Sequence, residues 1–462
     1  MLLTYFYYIK RKNKFYFTFK ILFFLKDSRE HLQIFINTIF FTIHAVHIVL
    51  KLSFYIYLFP RQKEYMNKLS DRVNRLGYSQ TFVMSNRARE MKANGIDVIS
   101  LTLGEPDFDV PDNIKQAAFD AINENYSHYS PVPGFLELRQ AISEKLKRDN
   151  QLDYQPTQIC VSNGAKQAII NVLAAIINDG DEVILPTPYW VSYDEMVKMM
   201  GGNSVMLPTS YVTDFKITAE QLEEAINNKT KAVLFSSPCN PSGGYYTYEE
   251  LKSLAKVIAK YPHVTVISDE IYEYINYETK TTSIAQFPEV YEQTAIINGM
   301  SKAFAMTGWR IGYSACPEWL AKACEKVQGQ MTSGANTVAQ RASIVALKTD
   351  PSEYRYMIDA FEKRRDLMYD LMKEITGFKV VLPKAAFYFF PDISYYIGKT
   401  LNGTEIKDAD DFAMFLLENA HVGCVGGTSF GSPECIRFSY AASEEDLREA
   451  MRRIKEVLEK AI

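Results

Sequence analysis

Cysteine and histidine are scarce in this 462-residue chain, six of each, and the cysteines at 160, 239, 316, 324, 424 and 435 show no paired spacing. That excludes a disulfide framework and a Cys/His zinc site, so no metal is expected and a reducing cytoplasmic setting fits best. A surplus of basic charge is missing as well. Lys+Arg total 51 against 55 Asp+Glu; residues 1–65 hold 10 and 3 of these, leaving 41 against 52 for residues 66–462. A body that acidic, with no basic stripe, excludes a nucleic-acid partner. Internal repeats and low-complexity linkers are also absent.

Residues 1–65 differ from the rest: they contain no glycine and one proline, Pro60, amid dense Phe, Tyr, Ile and Lys. The run from Ile34 to Leu50, resuming after Lys51 to Phe59, has the length of a membrane span. Its flanks argue against one. Lys10, Arg11, Lys12, Lys14, Lys20, Lys26 and Arg29 precede it, which would orient the main body away from the cytoplasm. The apolar stretch also starts too late for a signal peptide. We therefore expect residues 1–65 to be an atypical leader outside the native enzyme, with the working start at Met66, and no membrane partner. Ser70-Asp71 reads as the first helix cap.

From about residue 155, short apolar runs alternate with helical patterns, which predicts an α/β fold with a mostly parallel sheet covered on both faces. The runs end at Ser162-Asn163-Gly164, Pro186-Thr187-Pro188, Ser236-Ser237-Pro238 and Ser268-Asp269-Glu270. Thr218-x-x-Gln221 and Thr247-x-x-Glu250 are capping-box patterns that start helices. Beyond residue 350, charged helical patterns surround Cys435–Tyr440, and a helix from Ser443 closes a smaller α+β region. Polar residues gather where the apolar runs stop, the edge at which open α/β sheets bind ligands.

Ser301-Lys302-Ala303, with Arg310 eight positions beyond Lys302, is what a Schiff-base lysine beside a phosphate pocket requires. The amine attacks an aldehyde, while Ser301 and Arg310 hold an anion by hydroxyl and permanent charge. Gly308 and Gly312 would permit close backbone approach. Taken alone, each piece has a plain reading too. Asp269 either pairs with a protonated pyridine nitrogen or caps a turn. Tyr272, one of 30 tyrosines, is a hydroxyl donor or core packing. Asn240 is a donor or a turn residue, and Trp190 a stacking platform or a core aromatic. Gly164-Ala165-Lys166 offers free amides at a helix start, as many junctions do. Arg437 suits a carboxylate, from a substrate or from a structural salt bridge.

The ordered set Gly104-Glu105-Pro106-Asp107-Phe108, Tyr129-Ser130-Pro131, Asn163-Gly164-Ala165-Lys166-Gln167, Pro188-Tyr189-Trp190, Asn240-Pro241-Ser242-Gly243, Asp269-Glu270-Ile271-Tyr272, Ser301-Lys302 and Arg437 resembles the class I/II (fold type I) aminotransferases. Within them it is most similar to the bacterial aspartate aminotransferases of the Ib subgroup. The resemblance runs from about residue 66 to 462. It implies a seven-stranded, mostly parallel mixed sheet sandwiched by helices in a large domain, 111–345. An arm with part of the small domain would occupy 66–110, and the small α+β domain 346–462.

The resemblance further implies pyridoxal 5′-phosphate on Lys302, Asp269 at its pyridine nitrogen, and Tyr272 and Asn240 at the ring oxygen. Trp190 would cover the ring, and Ser301, Arg310 and the Gly164-Ala165 backbone would hold the phosphate. Tyr129 would reach that phosphate from the other subunit of a homodimer. Gly104, Trp190, Asn240 and Arg437 would bind the substrate carboxylate, and Lys166 the distal carboxylate of an acidic substrate. The implied reaction is ping-pong amino transfer between L-aspartate and 2-oxoglutarate. A closing segment near Ser79-Gln80-Thr81 would exclude water. Gly77-Tyr78 stands where some relatives that also transaminate prephenate carry a basic residue, which leaves prephenate in question.

Competing activities share the cofactor residues: an aromatic or alanine aminotransferase, or a β-lyase. A pyridoxal-binding regulator would need a DNA-binding domain, and residues 1–65 show no helix-turn-helix pattern. A degenerate, membrane-anchored relative fits poorly with an intact Lys302, Asp269 and Arg437.

Overall fold

A computed structural model describes residues 5–11, 14–20, 68–278 and 280–461. Tyr5–Arg11 and Lys14–Lys20 pair as an antiparallel hairpin, and Asp71–Asn74 forms one short helical turn. Ser70 Oγ accepts the Val73 N–H at 3.3 Å, as its cap role requires. Most of the expected leader, including the apolar run from Ile34 to Phe59, lies outside the described residues. No described helix is long and apolar enough to cross a membrane.

Residues 75–461 are built on seven strands: β1 Ile159–Asn163, β2 Glu182–Pro186, β3 Asn203–Leu207, β4 Thr230–Ser236, β5 Thr265–Asp269, β6 Thr294–Gly299 and β7 Ile311–Ala315. Their order across the sheet is β1-β7-β6-β5-β4-β2-β3. All run parallel except β7, which is antiparallel to both neighbours. The inner strands read as near-continuous Val, Ile, Leu and Ala because helices cover both faces, and every residue of β5, β6 and β7 is buried. Each such aliphatic side chain contributes about 1.5–3 kcal/mol.

The expected helix starts are made as the sequence implies. Thr218 Oγ1 accepts the Gln221 N–H at 3.2 Å, while Gln221 Oε1 accepts the Thr218 N–H at 2.9 Å. Thr247 and Glu250 repeat the exchange at 3.4 and 2.7 Å. Ser443 Oγ accepts the Asp446 N–H at 3.0 Å, ahead of the helix Glu444–Ala461.

A second apolar core gathers Phe387, Phe389, Phe412 and Phe438 with Met84, Ala88, Ile99 and Leu101. Its sheet joins β8 Tyr388–Phe389, β9 Val425–Gly426 and β10 Ile436–Ser439 in the order β8-β10-β9. Residues 98–101 therefore belong with the C-terminal core, and Ile99–Ser100 pairs in parallel with Val422–Gly423. That places the loop after Ile99, including Gly104, between the second core and the edge of the large sheet.

Candidate active site

The parallel strands end on one edge, and each end delivers a chemical group. Strand β5 ends at Asp269, and β6 runs through Gly299 into Ser301 and Lys302. Strand β1 ends at Asn163 before Gly164, β2 leads to Trp190, and β4 leads to Asn240. Because β7 runs the other way, its start puts Arg310 at the same edge, with Ile311 opposite Asn163.

Lys302 donates its amine hydrogen to the Gly104 carbonyl. The Tyr272 and Phe387 rings lie 5.8 and 6.0 Å from its nitrogen. Burial of the amine, aided by Arg437 and Arg310 and opposed by Glu105 and Asp269, pulls its pKa down to about 8. A lysine so shifted keeps a useful neutral fraction near neutrality.

Asp269 is 4% exposed. Its Oδ2 accepts the Tyr193 hydroxyl at 2.6 Å and its Oδ1 accepts the Ile271 N–H at 3.2 Å. Burial pushes this carboxyl up to about 6, against the pull of Tyr193, Ile271 and Lys302. Trp190 meets Tyr193 edge-on with ring centroids 5.6 Å apart. The Lys166 amine lies 4.8 Å from the Trp190 ring centre. Desolvation, with Arg310 second, lowers the Lys166 pKa, but the residue as a whole is exposed, so solvent screens the effect.

Gly164 caps the twelve-residue helix Ala165–Ile176 at φ 81°, a left-handed conformation natural only to glycine. A Cβ there would sit 2.2 Å from Arg310 Nη2, and a Cβ at Gly312 would sit 2.2 Å from the Ala165 nitrogen. Guanidinium and helix N-terminus thus meet closely at this edge, an arrangement suited to an anion. The expectation for Gly308 is corrected, because an added Cβ there would meet nothing within 4 Å. Close approach is confined to Gly312, whose strand packs on the helix start.

Arg437 is 1% exposed. Its Nη1 donates to Asn240 Oδ1 at 2.9 Å and its Nη2 to the Thr102 carbonyl, while Nε is buried without a partner. Tyr388 and Phe430 flank the guanidinium at 4.8 and 5.0 Å. The structural salt bridge considered for Arg437 is not made among the described residues: its partners are an amide and a carbonyl. A buried guanidinium with an unpaired N–H is a receptor for a carboxylate from outside.

Tyr272 is buried, and its hydroxyl lies 2.6 Å from that of Tyr388. Tyr129 is 99% exposed and meets none of the other candidates. Every other residue singled out lies at or beside this sheet edge. The sequence reading missed Tyr193 and Tyr388, two buried hydroxyls among 30 tyrosines, and the Glu105–Thr307 hydrogen bond that ties the Gly104 loop to the Lys302 loop. The three-residue step from Trp190 to Tyr193, the turn that leads into the helix Ser192–Met199, was the available signal for the first. Nothing local marked the second.

Residues 96–454 match the family model described as Aminotransferase class I and II. The chain is 46% identical over 390 residues to a probable aspartate/prephenate aminotransferase of Rhizobium leguminosarum bv. phaseoli, covering 84% of this chain and 98% of that protein. It is similar to the crystal structure of the aspartate aminotransferase from Rhizobium meliloti, at 40% identity and a TM-score of 0.83 over 85% of this chain and 99% of that one. It is also similar to the aspartate aminotransferase from Thermus thermophilus with maleate, at 39% identity and a TM-score of 0.79, covering 84% and 99%.

Proposed function

The chain belongs to the class I and II aminotransferases, and on that premise we propose that it moves the amino group between L-aspartate and 2-oxoglutarate in two half-reactions. Enzymes of this family depend on pyridoxal 5′-phosphate. The residues present fit that group: a glycine-lined cradle backed by Arg310, a desolvated amine at Lys302, and a buried carboxylate at Asp269. When bound, the cofactor supplies the electron sink that makes a substrate Cα proton acidic.

The rest falls to the chain's own side chains. Lys302 would hold the cofactor through its nitrogen, and its neutral amine would serve as the base that moves the substrate Cα proton. Asp269, held at one oxygen by Tyr193 and at the other by the Ile271 amide, would pair with the pyridine nitrogen. Tyr272 and Asn240 would donate to the ring oxygen, and Trp190 would cover the ring. Ser301, Arg310 and the Gly164-Ala165 amides would bind the phosphate. Arg437, with the Gly104 backbone, Trp190 and Asn240, takes the α-carboxylate.

The observation that carries the reading is the unpaired Arg437 Nε, one percent exposed, in the same site as a desolvated Lys302. For the side-chain carboxylate we assign Lys166, poised over the face of Trp190. The relative solved with maleate, a dicarboxylate, supports an acidic substrate. Prephenate stays outside the proposal: Gly77 offers only its backbone N–H, which Glu195 accepts at 2.8 Å.

The proposal includes a homodimer, in which the exposed Tyr129 of each protomer serves the other's phosphate. It also includes the division into 66–110, 111–345 and 346–462, since residues 84–101 share the C-terminal core. Stopped-flow half-reactions with a panel of amino acids test the substrate. Loss of the visible cofactor band fastest with aspartate and glutamate is expected; a preference for alanine or phenylalanine overturns the assignment.

A further inference from the structure

Tyr388 is fully buried and stands between the two halves of the site. Its hydroxyl lies 2.6 Å from the Tyr272 hydroxyl, and its ring lies 4.8 Å from the Arg437 guanidinium. A Cβ at position 104 would fall 2.1 Å from its oxygen, so the loop whose carbonyl receives the Lys302 amine is shaped around this one hydroxyl. Burial pushes the phenol up to about 12, so it is neutral throughout the working range.

A neutral tyrosine has one hydrogen to donate. With either atom of the pair able to donate, the arrangement is undecided until something outside claims a hydrogen. On the reading above, the cofactor's ring oxygen accepts from Tyr272, which spends that residue's only hydrogen. Tyr388 must then donate to Tyr272. Hydrogen bonds in such a chain polarise one another, so the Tyr388 donation strengthens Tyr272 as a donor.

We propose that Tyr388 is a positioning residue for the transamination: it donates to Tyr272, makes Tyr272 a stronger donor to the cofactor's ring oxygen, and so sets the pH at which the Lys302-linked cofactor titrates. This rests on the assignment of Tyr272 to the ring oxygen. The sign follows from charge. A stronger donor stabilises the oxygen as an anion, which favours loss of the proton shared between that oxygen and the linking nitrogen. Removing the Tyr388 hydroxyl raises the midpoint.

The test is the visible-absorbance pH titration of the protein loaded with pyridoxal 5′-phosphate, compared for wild type, Tyr388→Phe, Tyr272→Phe and the double variant. Tyr388→Phe is expected to raise the midpoint by about half a pH unit, a threefold change, with the melting temperature within a few degrees of wild type. The double variant is expected to match Tyr272→Phe alone, because Tyr388 acts through Tyr272. A wild-type midpoint retained in Tyr388→Phe while Tyr272→Phe shifts overturns the proposal, and so does additivity in the double variant. A wild-type protein that binds no cofactor, or an unshifted Tyr272→Phe, fails the functional reading instead.

Discussion

The Tyr193 hydroxyl donates to Asp269 Oδ2 at 2.6 Å, in a place where neither residue meets solvent. Tyr193 is on the helix Ser192–Met199, and the turn entering it, closed by the Tyr193 N–H on the Trp190 carbonyl at 2.8 Å, ties the position of the Trp190 indole to that of the hydroxyl that steadies the carboxylate. Asp269 needs that support: burial raises its pKa from 3.8 to about 6 even with the bond in place.

A stability prediction follows for the cofactor-free protein. Between pH about 4 and 6 the folded state holds the Asp269 proton more tightly than the unfolded chain does, so this group's contribution to stability falls as pH rises. Tyr193→Phe removes a bond to the charged form, worth about 1.5–3 kcal/mol. Chemical denaturation is expected to show the variant weaker by roughly that amount above pH 7 and close to wild type near pH 4. An equal deficit at both pH values would assign Tyr193 to packing alone.

Lys302 gives a second pH signature. Its pKa of about 8, against an ordinary 10.5, follows from desolvation of the amine. Only the neutral amine attacks an aldehyde, so the rate at which cofactor-free protein captures pyridoxal 5′-phosphate should rise with pH through a midpoint near 8 and then level. Stopped-flow absorbance at constant ionic strength measures it. A midpoint near 10.5 would place the amine in water.

Arg437→Lys should leave the cofactor spectrum intact while raising the KM for aspartate about 100-fold. The fork that matches a carboxylate becomes a single ammonium, a change of about 3 kcal/mol. Steady-state kinetics beside the spectrum separate the two effects. An unchanged KM would remove Arg437 from the substrate site.

Lys166→Ala should lower kcat/KM for aspartate by about fivefold or more, the upper range for a screened ion pair, and leave alanine unchanged. Equal losses for both amino acids would end its role in selecting acidic substrates.

Gly308, in the turn after the Lys302 loop, and Gly312, in β7, should part company. Gly312→Ala puts a carbon 2.2 Å from a backbone nitrogen and is expected to cost about 1–3 kcal/mol, whereas Gly308→Ala meets nothing and should be near neutral. Urea denaturation of both variants checks this.

What the sequence made legible was local. Strand ends and the capping boxes at Thr218 and Thr247 each depend on neighbours a few residues away, and the structure makes them as read. What it hid depends on chain segments far apart. Tyr388 meets Tyr272 across 116 positions and Arg437 meets Asn240 across 197; no short-range pattern encodes such partners. Gly308 was misread because a glycine's conformational freedom is visible in sequence, while the atoms that would crowd a side chain are not. For the same reason the sequence left Arg437 open between a substrate and a built-in carboxylate partner, whereas its actual partners are Asn240 and the Thr102 carbonyl.

The central claim is a covalent one, and borohydride reduction of the purified protein after incubation with pyridoxal 5′-phosphate, followed by peptide mapping, tests it most directly. The account predicts a yellow protein that bleaches on reduction and a pyridoxyl group at Lys302 alone. Colourless protein with no trapped group, or trapping at another lysine, would contradict it.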